Sequence, residues 1–346
     1  MAAQRRVTIK QVAREAGVSA QTVSRVINDR RDVSAETRQR VKAVIDRLGY
    51  QPSYIARSLI SGSSCTIGVV VWGLQFYGPF QAFLGIEQAA NEQGYDLFLR
   101  LTQAITQDDG KALIKSMLSH QVDGIIWAVP ESGQNHDWIC TAAHTLPVPI
   151  VFLSMRPRPS LHVAAVDNRV GGRIATEHLV AQGYRKVGLI AGPLSWWEAA
   201  ERRRGWVEAL EATGLPADET AVVEGDWTPR SGEQAMYRLL ERHASIEAVF
   251  VSNDQMALGA MKAARAAGRT IPDDLALIGF DDISEAPYLV PPLSTIRQDL
   301  DALGRQAVHK LISLFDSDDQ DNHADEQVSP MLQPELIIRE SSGAIR

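Results

Sequence analysis

From residue 66 onward, short apolar runs alternate with amphipathic stretches, and this alternation limits the fold more than any other feature of the chain. The apolar runs predict strands at 66–71, 95–99, 124–127, 150–153, 164–166, 187–191, 222–224, 248–251, 275–280, 295–296 and 336–338. The stretches between them predict helices at 82–93, 171–182, 203–213, 232–241, 256–267 and 300–315. Strands apolar throughout, such as Val69-Val70-Val71 and Ala248-Val249-Phe250-Val251, belong to parallel sheets covered on both faces. No segment recurs at a fixed period, which excludes a solenoid, and two doubly wound halves facing a cleft fit the length. No apolar run reaches the ~18 residues of a membrane span. Cys65 and Cys140 are the only cysteines, which excludes a disulfide framework and a Cys-rich zinc site.

The first 60 residues differ from this body in charge. They hold twelve Lys or Arg against five Asp or Glu, a net +7, whereas the whole chain is at −7. A basic head on an acidic body is an electrostatic footprint for nucleic acid. Its pattern predicts three short helices. Thr8 precedes Gln11 in a capping box, Val12, Ala13 and Ala16 give apolar spacing, and Gly17 ends the first helix. Ser19 opens the second, with Val23, Val26 and Ile27 on its buried side. Ser34 opens the third, with Val41, Val44, Ile45 and Leu48, and Gly49 stops it. Helix, Gly-containing turn, helix is the helix-turn-helix plan, whose second helix enters the major groove. Its polar face offers Ala20, Gln21, Thr22, Ser24 and Arg25. Gln can read adenine and Arg guanine in bidentate fashion, while Thr22, Ser24 and Asn28 suit phosphates.

In open parallel sheets, ligands bind beyond the carboxyl ends of the strands. Phe76 and Tyr77 follow the first strand, Trp127 ends the third and Ser154 follows the fourth. Asn253-Asp254, Asp281-Asp282 and Gln298 stand at three later strand ends, and Arg202 opens a helix after Ala191-Gly192-Pro193. Carboxylate, amide and guanidinium groups pair with adjacent hydroxyls, and indole faces suit the apolar faces of sugars. The constellation is sugar-like.

The run from Val7 through Val18-Ser19-Ala20-Gln21-Thr22-Val23-Ser24-Arg25-Val26-Ile27-Asn28 closely resembles the DNA-binding headpiece of the lac repressor (LacI/GalR) family. The likeness continues to Leu48-Gly49-Tyr50-Gln51-Pro52. Ser53-Tyr54-Ile55-Ala56-Arg57-Ser58-Leu59 looks like that family's hinge helix, in which the leucine, here Leu59, wedges into a base step of the operator. The resemblance thereby implies DNA contacts for Thr8, Ser34, Tyr50, Ser53 and Ala56 besides the recognition-helix residues. It extends over the body, through Ala191-Gly192-Pro193-Leu194, Glu224-Gly225-Asp226-Trp227, Asn253-Asp254-Gln255-Met256 and Pro291-Pro292-Leu293-Ser294-Thr295-Ile296. It implies a core like that of periplasmic sugar-binding proteins, with Arg202, Trp227, Asn253, Asp281 and Gln298 at inducer-contacting positions. Two departures stand out. Sugar-binding relatives often carry an acid after the fourth strand where this chain has Ser154. Where small serines follow the Ala-Gly-Pro turn in the lac repressor core, this chain has Ser195-Trp196-Trp197-Glu198, adding Trp196 and Glu198 to the candidate ligand residues.

The expected organisation is a headpiece over 1–51, a hinge helix and linker over 52–64, and an effector-binding and dimerisation core over 65–346. Within the core, 65–166 with 297–325 and 167–296 with 326–340 form the two subdomains. An enzyme is disfavoured. Gly-x-Gly-x-x-Gly, a complete P-loop, Gly-x-Ser-x-Gly and His-Glu-x-x-His are all missing from the sequence. The acidic stretch 316–326 lacks the sixth-position Gly of a calcium loop, and no cofactor or metal is expected. The tail shows no heptads, so a dimer rather than a coiled-coil tetramer follows. The start carries no signal-peptide stretch, which points to the cytoplasm. The reading is a DNA-binding repressor, released as a homodimer from a palindromic operator by a sugar or glycoside. The alternatives are a corepressor-type regulator for a purine-like ligand or a sugar-processing enzyme.

Overall fold

A computed structural model describes residues 7–27, 30, 32–50, 63–102, 107–133, 135, 137–159, 161–315 and 330–343. The chain divides into two compact units, Met1–Cys65 and Thr66–Arg346.

The first unit is three helices, α1 (Ile9–Ala16), α2 (Ala20–Ile27) and α3 (Ala35–Leu48), around Val12, Val23, Val26 and Val41. Its sequence punctuation works as expected. The N–H of Thr8 donates to Gln11 Oε1 at 2.8 Å. Gly17 (φ 63°) and Gly49 (φ 61°) take the left-handed conformation that ends α1 and α3. Ser19 and Ser34 accept the N–H groups of Thr22 and Thr37 at 3.1 and 3.3 Å.

The second unit holds two parallel sheets. One has β1 (Thr66–Trp72), β2 (Asp96–Thr102), β3 (Gly124–Ala128), β4 (Ile150–Leu153) and β5 (His162–Ala164) in the order β2-β1-β3-β4-β5. The other has β6 (Val187–Ala191), β7 (Val222–Glu224), β8 (Ala248–Val251) and β9 (Ala276–Ile278) in the order β7-β6-β8-β9. Helices α4 (Tyr77–Glu92), α5 (Gln107–Ser119), α6 (Asp137–Ala142), α7 (Asn168–Ala181), α8 (Trp197–Ala212), α9 (Pro229–Arg242) and α10 (Asp254–Ala266) follow their strands. The antiparallel pair β10 (Thr295–Arg297) and β11 (Glu335–Ile337) brackets α11 (Leu300–Ser313), which packs on the first sheet. The chain therefore passes between subdomains three times. The last passage falls between Leu332 and Glu335 rather than near 326, because Leu332 still pairs with Val166.

Three helix pairs approach backbone to backbone at glycines. A Cβ on Gly205 of α8 would lie 2.1 Å from the carbonyl oxygen of Arg169, and one on Gly172 of α7 would lie 2.2 Å from that of Arg202. The same reciprocal contact joins Gly85 of α4 to α11 and Gly232 of α9 to Gly259-bearing α10. The first of these crossings sets the depth at which α8 delivers its side chains to the cleft.

Candidate functional site

In the headpiece, Gln21 and Arg25 stand exposed one turn apart on α2, with Thr22 and Ser24 half-buried beside them. Arg25 Nη1 lies 3.2 Å from Asp32 Oδ2, both well exposed, so the ion pair is a weak constraint that a stronger partner can replace. Ser19 and Ser34 use their hydroxyls as helix caps, and Thr8 lies at the exposed start of α1. Tyr50 differs from expectation. Its ring belongs to the apolar core of the headpiece, because the left-handed turn at Gly49 folds the chain back so that the Tyr50 N–H reaches Ile45 O. Asn28, Ser53, Ala56 and Leu59 lie outside the described residues.

The core carries a cleft at the carboxyl ends of both sheets, enclosing about 750 Å³ of empty space including its mouth. Phe76, Ser154, Trp196, Glu198, Arg202, Trp227, Asn253, Asp281 and Gln298 all line it. Two of the expected residues do not. Trp127 is buried in the apolar layer behind β3, edge-on to Trp138 at 5.9 Å. Tyr77 sits where the two subdomains meet, its hydroxyl 3.5 Å from the carbonyl oxygen of Asp282, and burial with nearby acids pushes its phenol up. Trp72, Gln255 and Leu300 line the cleft without having been singled out. Trp72 ends the apolar run of β1 and was the legible one.

Each polar group is held by a local device. Arg202 projects from α8. Its Nε donates to Asn168 Oδ1 at 2.8 Å, and its Nη1 donates to the carbonyl oxygen of Ser252. The guanidinium lies 3.7 Å from the Phe280 ring centroid and 5.5 Å from that of Trp227. Burial lowers its pKa, while Asp281 and Glu198 act through space to raise it. No ion pair within 4 Å joins it to either acid, so a hydroxyl-bearing ligand has room to bridge them. Asp281 accepts from Gln298 Nε2 at 2.7 Å and is pushed up to about 6, burial outweighing Arg202 and the Gln298 bond. Glu198 is likewise raised by burial, opposed by Arg202 and by the nearby Ser154 hydroxyl.

Asn253 caps α10, accepting the Met256 N–H at 2.8 Å, and donates to the carbonyl oxygen of Trp227 at 3.1 Å. It therefore braces the wall as well as facing the cavity. Asp254 is wholly buried, accepting from Thr295 Oγ1 at 2.7 Å and from the Ile283 N–H at 3.0 Å. Burial and Asp281 hold its carboxyl well above the ordinary range. Ser154 (φ 54°), Trp227 (φ 73°) and Asp281 (φ 116°) all adopt positive φ, a cost that concentrates at binding sites. Gly192 is needed because a Cβ there would meet the Trp227 ring at 2.1 Å.

Aromatic rings complete the lining. Trp72 stacks on Phe76 at 5.5 Å and meets Trp196 edge-on at 4.9 Å, and Trp196 approaches Trp227 at 5.9 Å. Trp227 Nε1 and Gln255 Oε1 are buried without hydrogen-bond partners, one donor and one acceptor on the cavity wall. A ligand hydroxyl can satisfy either. Among the described residues no cluster of His, Cys, Asp or Glu could hold a metal ion, and no helix is long and apolar enough to cross a membrane.

Residues 8–53 match bacterial regulatory proteins of the lacI family, and residues 176–342 match the periplasmic binding protein-like domain. The chain is 35% identical to the lactose operon repressor of Escherichia coli (strain K12) over 89% of this chain and 84% of that protein. The crystal structure of the lac repressor dimer bound to operator and the anti-inducer ONPF superposes with a TM-score of 0.88 at 33% identity, covering 98% of this chain and 100% of that one. Identity to the HTH-type transcriptional repressor PurR of Haemophilus influenzae (strain PittEE) is 36% over 98% and 99% of the two chains. The complex of the transcriptional regulator CelR with cellobiose matches with a TM-score of 0.72 at 32% identity, covering 97% and 100%.

Proposed function

Since the chain belongs to the lacI family of bacterial regulatory proteins, DNA-binding transcriptional regulators with a small-molecule effector, we propose that it is a repressor whose effector is a neutral saccharide. The carrying observation is the cleft itself: the rings of Trp72, Phe76, Trp196 and Trp227 share one cavity with Asp281, Gln298, Arg202 and Glu198. Aromatic faces take the apolar C–H faces of a pyranose, and the polar wall takes its hydroxyls. Two cavity-lining acids against one guanidinium disfavour phosphates and uronates. Cellobiose, the ligand in the CelR complex, is the first compound to test.

The regulator works by binding, not catalysis, in the cytoplasm as a homodimer on a two-fold symmetric operator. Gln21 and Arg25 read bases, while Thr8, Thr22 and Ser24 fix phosphates. To move operator occupancy from ~99% to ~1%, saccharide must favour the released state by ~5.5 kcal/mol, or ~2.8 kcal/mol for each of two sites. A ligand held between Asp281 and Arg202 of the second subdomain and Ser154 and Phe76 of the first, at only one separation of the subdomains, supplies such a difference. Thermal shift of the full-length protein against mono- and disaccharides, with purine bases in the same panel, tests the reading. A disaccharide that raises the melting point and lowers operator affinity supports it. Response to a purine alone replaces it with the corepressor-type alternative.

A further inference from the structure

Besides the chain passages and the Tyr77–Asp282 contact, the two subdomains are tied at a further place. The chain after β3 and the chain before α8 meet as a short antiparallel bridge between Ser132 and Trp196. The Trp197 N–H donates to the carbonyl oxygen of Glu131 at 3.0 Å, and the Gly133 N–H donates to that of Ser195 at 3.1 Å. The hydroxyls of Ser132 and Ser195 are 3.2 Å apart and hydrogen-bonded. The side contributed by the first subdomain is prebuilt. Glu131, almost fully buried, takes the Arg156 N–H at 2.8 Å and Arg158 Nη2 at 2.5 Å, and Asn135 closes the loop onto Pro130 and Ser132.

Trp197 distinguishes this contact from an ordinary polar touch. It is the first residue of α8 and so belongs to the second subdomain, yet its indole is buried in the apolar cluster of the first, with Val70, Trp127, Val129, Phe152 and Met155. A large aromatic ring that crosses between two bodies contributes far more than the three hydrogen bonds around it, because those groups find water when the bodies part and the indole does not. Its neighbour Trp196 turns the other way and forms the cleft wall between Trp72 and Trp227. Burying one ring therefore fixes the other.

We propose that Trp197 is a latch: it holds the cleft closed by plugging the first subdomain, and through the Ser132–Trp196 bridge it positions Trp196 as a wall of the binding site. Effector exchange then requires Trp197 to withdraw, and the latch sets the residence time of whatever ligand the cleft holds. Trp197 is a positioning residue that need not touch ligand.

The test uses the full-length protein carrying Ser132→Cys and Ser195→Cys. Hydroxyls already in contact place the replacement thiols within reach of a disulfide, which forms only while the latch is shut. Oxidised glutathione is added without any saccharide, and the 132–195 link is followed by peptide mass spectrometry, which separates it from Cys65 and Cys140. Rapid, near-complete cross-linking is expected. Adding Trp197→Leu slows it roughly tenfold or more, since a buried indole is lost, while operator binding and the circular dichroism of the fold persist. Should that variant fail to fold, Trp197→Phe keeps a smaller plug and slows cross-linking by a lesser factor. Cellobiose dissociation, read by intrinsic fluorescence, accelerates with the same order of variants. Unchanged cross-linking rates in folded Trp197 variants overturn the latch, as does a parent double-cysteine protein that stays uncross-linked with both thiols reactive. Because cross-linking needs no ligand, it can succeed even if cellobiose does not bind, which would count against the saccharide reading alone.

Discussion

Replacing Gly205 by Ala puts helix propensity and packing in direct opposition. In the middle of α8, alanine is the better helix former by about 1 kcal/mol. Its Cβ, however, would stand 2.1 Å from Arg169 O and 2.5 Å from Arg173 N, both backbone atoms of α7 that no rotamer change can move aside. Bringing those contacts to about 3.4 Å requires α7 and α8 to separate by more than 1 Å. Overpacking of this kind costs about 1–3 kcal/mol, and the upper end applies where the obstacle is backbone. The net loss of about 1–2 kcal/mol corresponds to a melting point lower by about 2–4 °C for a unit of this size. The site suffers more than the fold. Arg202 is tied to Asn168 across the same crossing at 2.8 Å, and α8 also carries Glu198. A 1 Å displacement breaks the first bond and moves both charged groups, so saccharide affinity falls by at least about tenfold. Circular-dichroism melts and calorimetric titration of wild type and Gly205→Ala measure the two effects. A variant that melts no lower and binds saccharide equally well would show that the close crossing does not set the cleft geometry.

Asp281→Asn separates stability from function. An acid whose folded pKa is raised to about 6 binds its proton more tightly folded than unfolded, so its contribution is fully present below about pH 4 and lost as pH rises to about 6. The ionised group therefore costs on the order of 3 kcal/mol at neutral pH. The Asn variant should gain in melting point relative to wild type between pH 4.5 and 7.5 while binding saccharide about 10–100-fold more weakly; a pH-independent difference in melting point refutes the reasoning. Arg25→Ala should cost ~1–3 kcal/mol on operator and relax specificity at one base pair per half-site, and equal losses on operator and random DNA would rule out base reading. Ser34→Ala removes the α3 cap and should destabilise the headpiece by about 1 kcal/mol in urea titrations, and an unchanged midpoint would show that the cap contributes nothing.

The order of elements in the core was legible because parallel strands covered on both faces leave unmistakable apolar runs. The same property hid which residue of a run faces the cleft. In β3 both Trp127 and Ala128 stand near the strand end, and with both faces buried no polar alternation separates them; Ala128 lines the cavity and Trp127 packs behind it. Helix starts were placed late for another reason. Asp167 and Asn253 read as loop residues, yet each accepts an N–H from the first turn, of Val170 and Met256, so α7 begins at Asn168 and α10 at Asp254. At α8 the cap position and the first helical residue are both tryptophans and no side chain caps the helix, so the sequence offered no start signal. The glycine crossings were illegible too, since a helical Gly reads as a weak point until its partner helix is known.

Ser154 shows how a departure in sequence can be compensated across a fold. Taken alone, a serine after β4 removes an acidic acceptor and argues against a sugar. In the folded core Glu198 lines the same cleft as Ser154, so the carboxylate comes from the helix on the opposite wall and not from the strand end. The serine and that acid come from different subdomains and both line the cleft. Glu198 and Asp281 act on the same guanidinium from different elements, one from α8 and one from the end of β9. A bound hydroxyl can then be read by groups from several elements at once. Specificity that depends on the separation of Ser154 from Glu198, Arg202 and Asp281, rather than on any one residue, is what lets a ligand bias the position of one subdomain against the other.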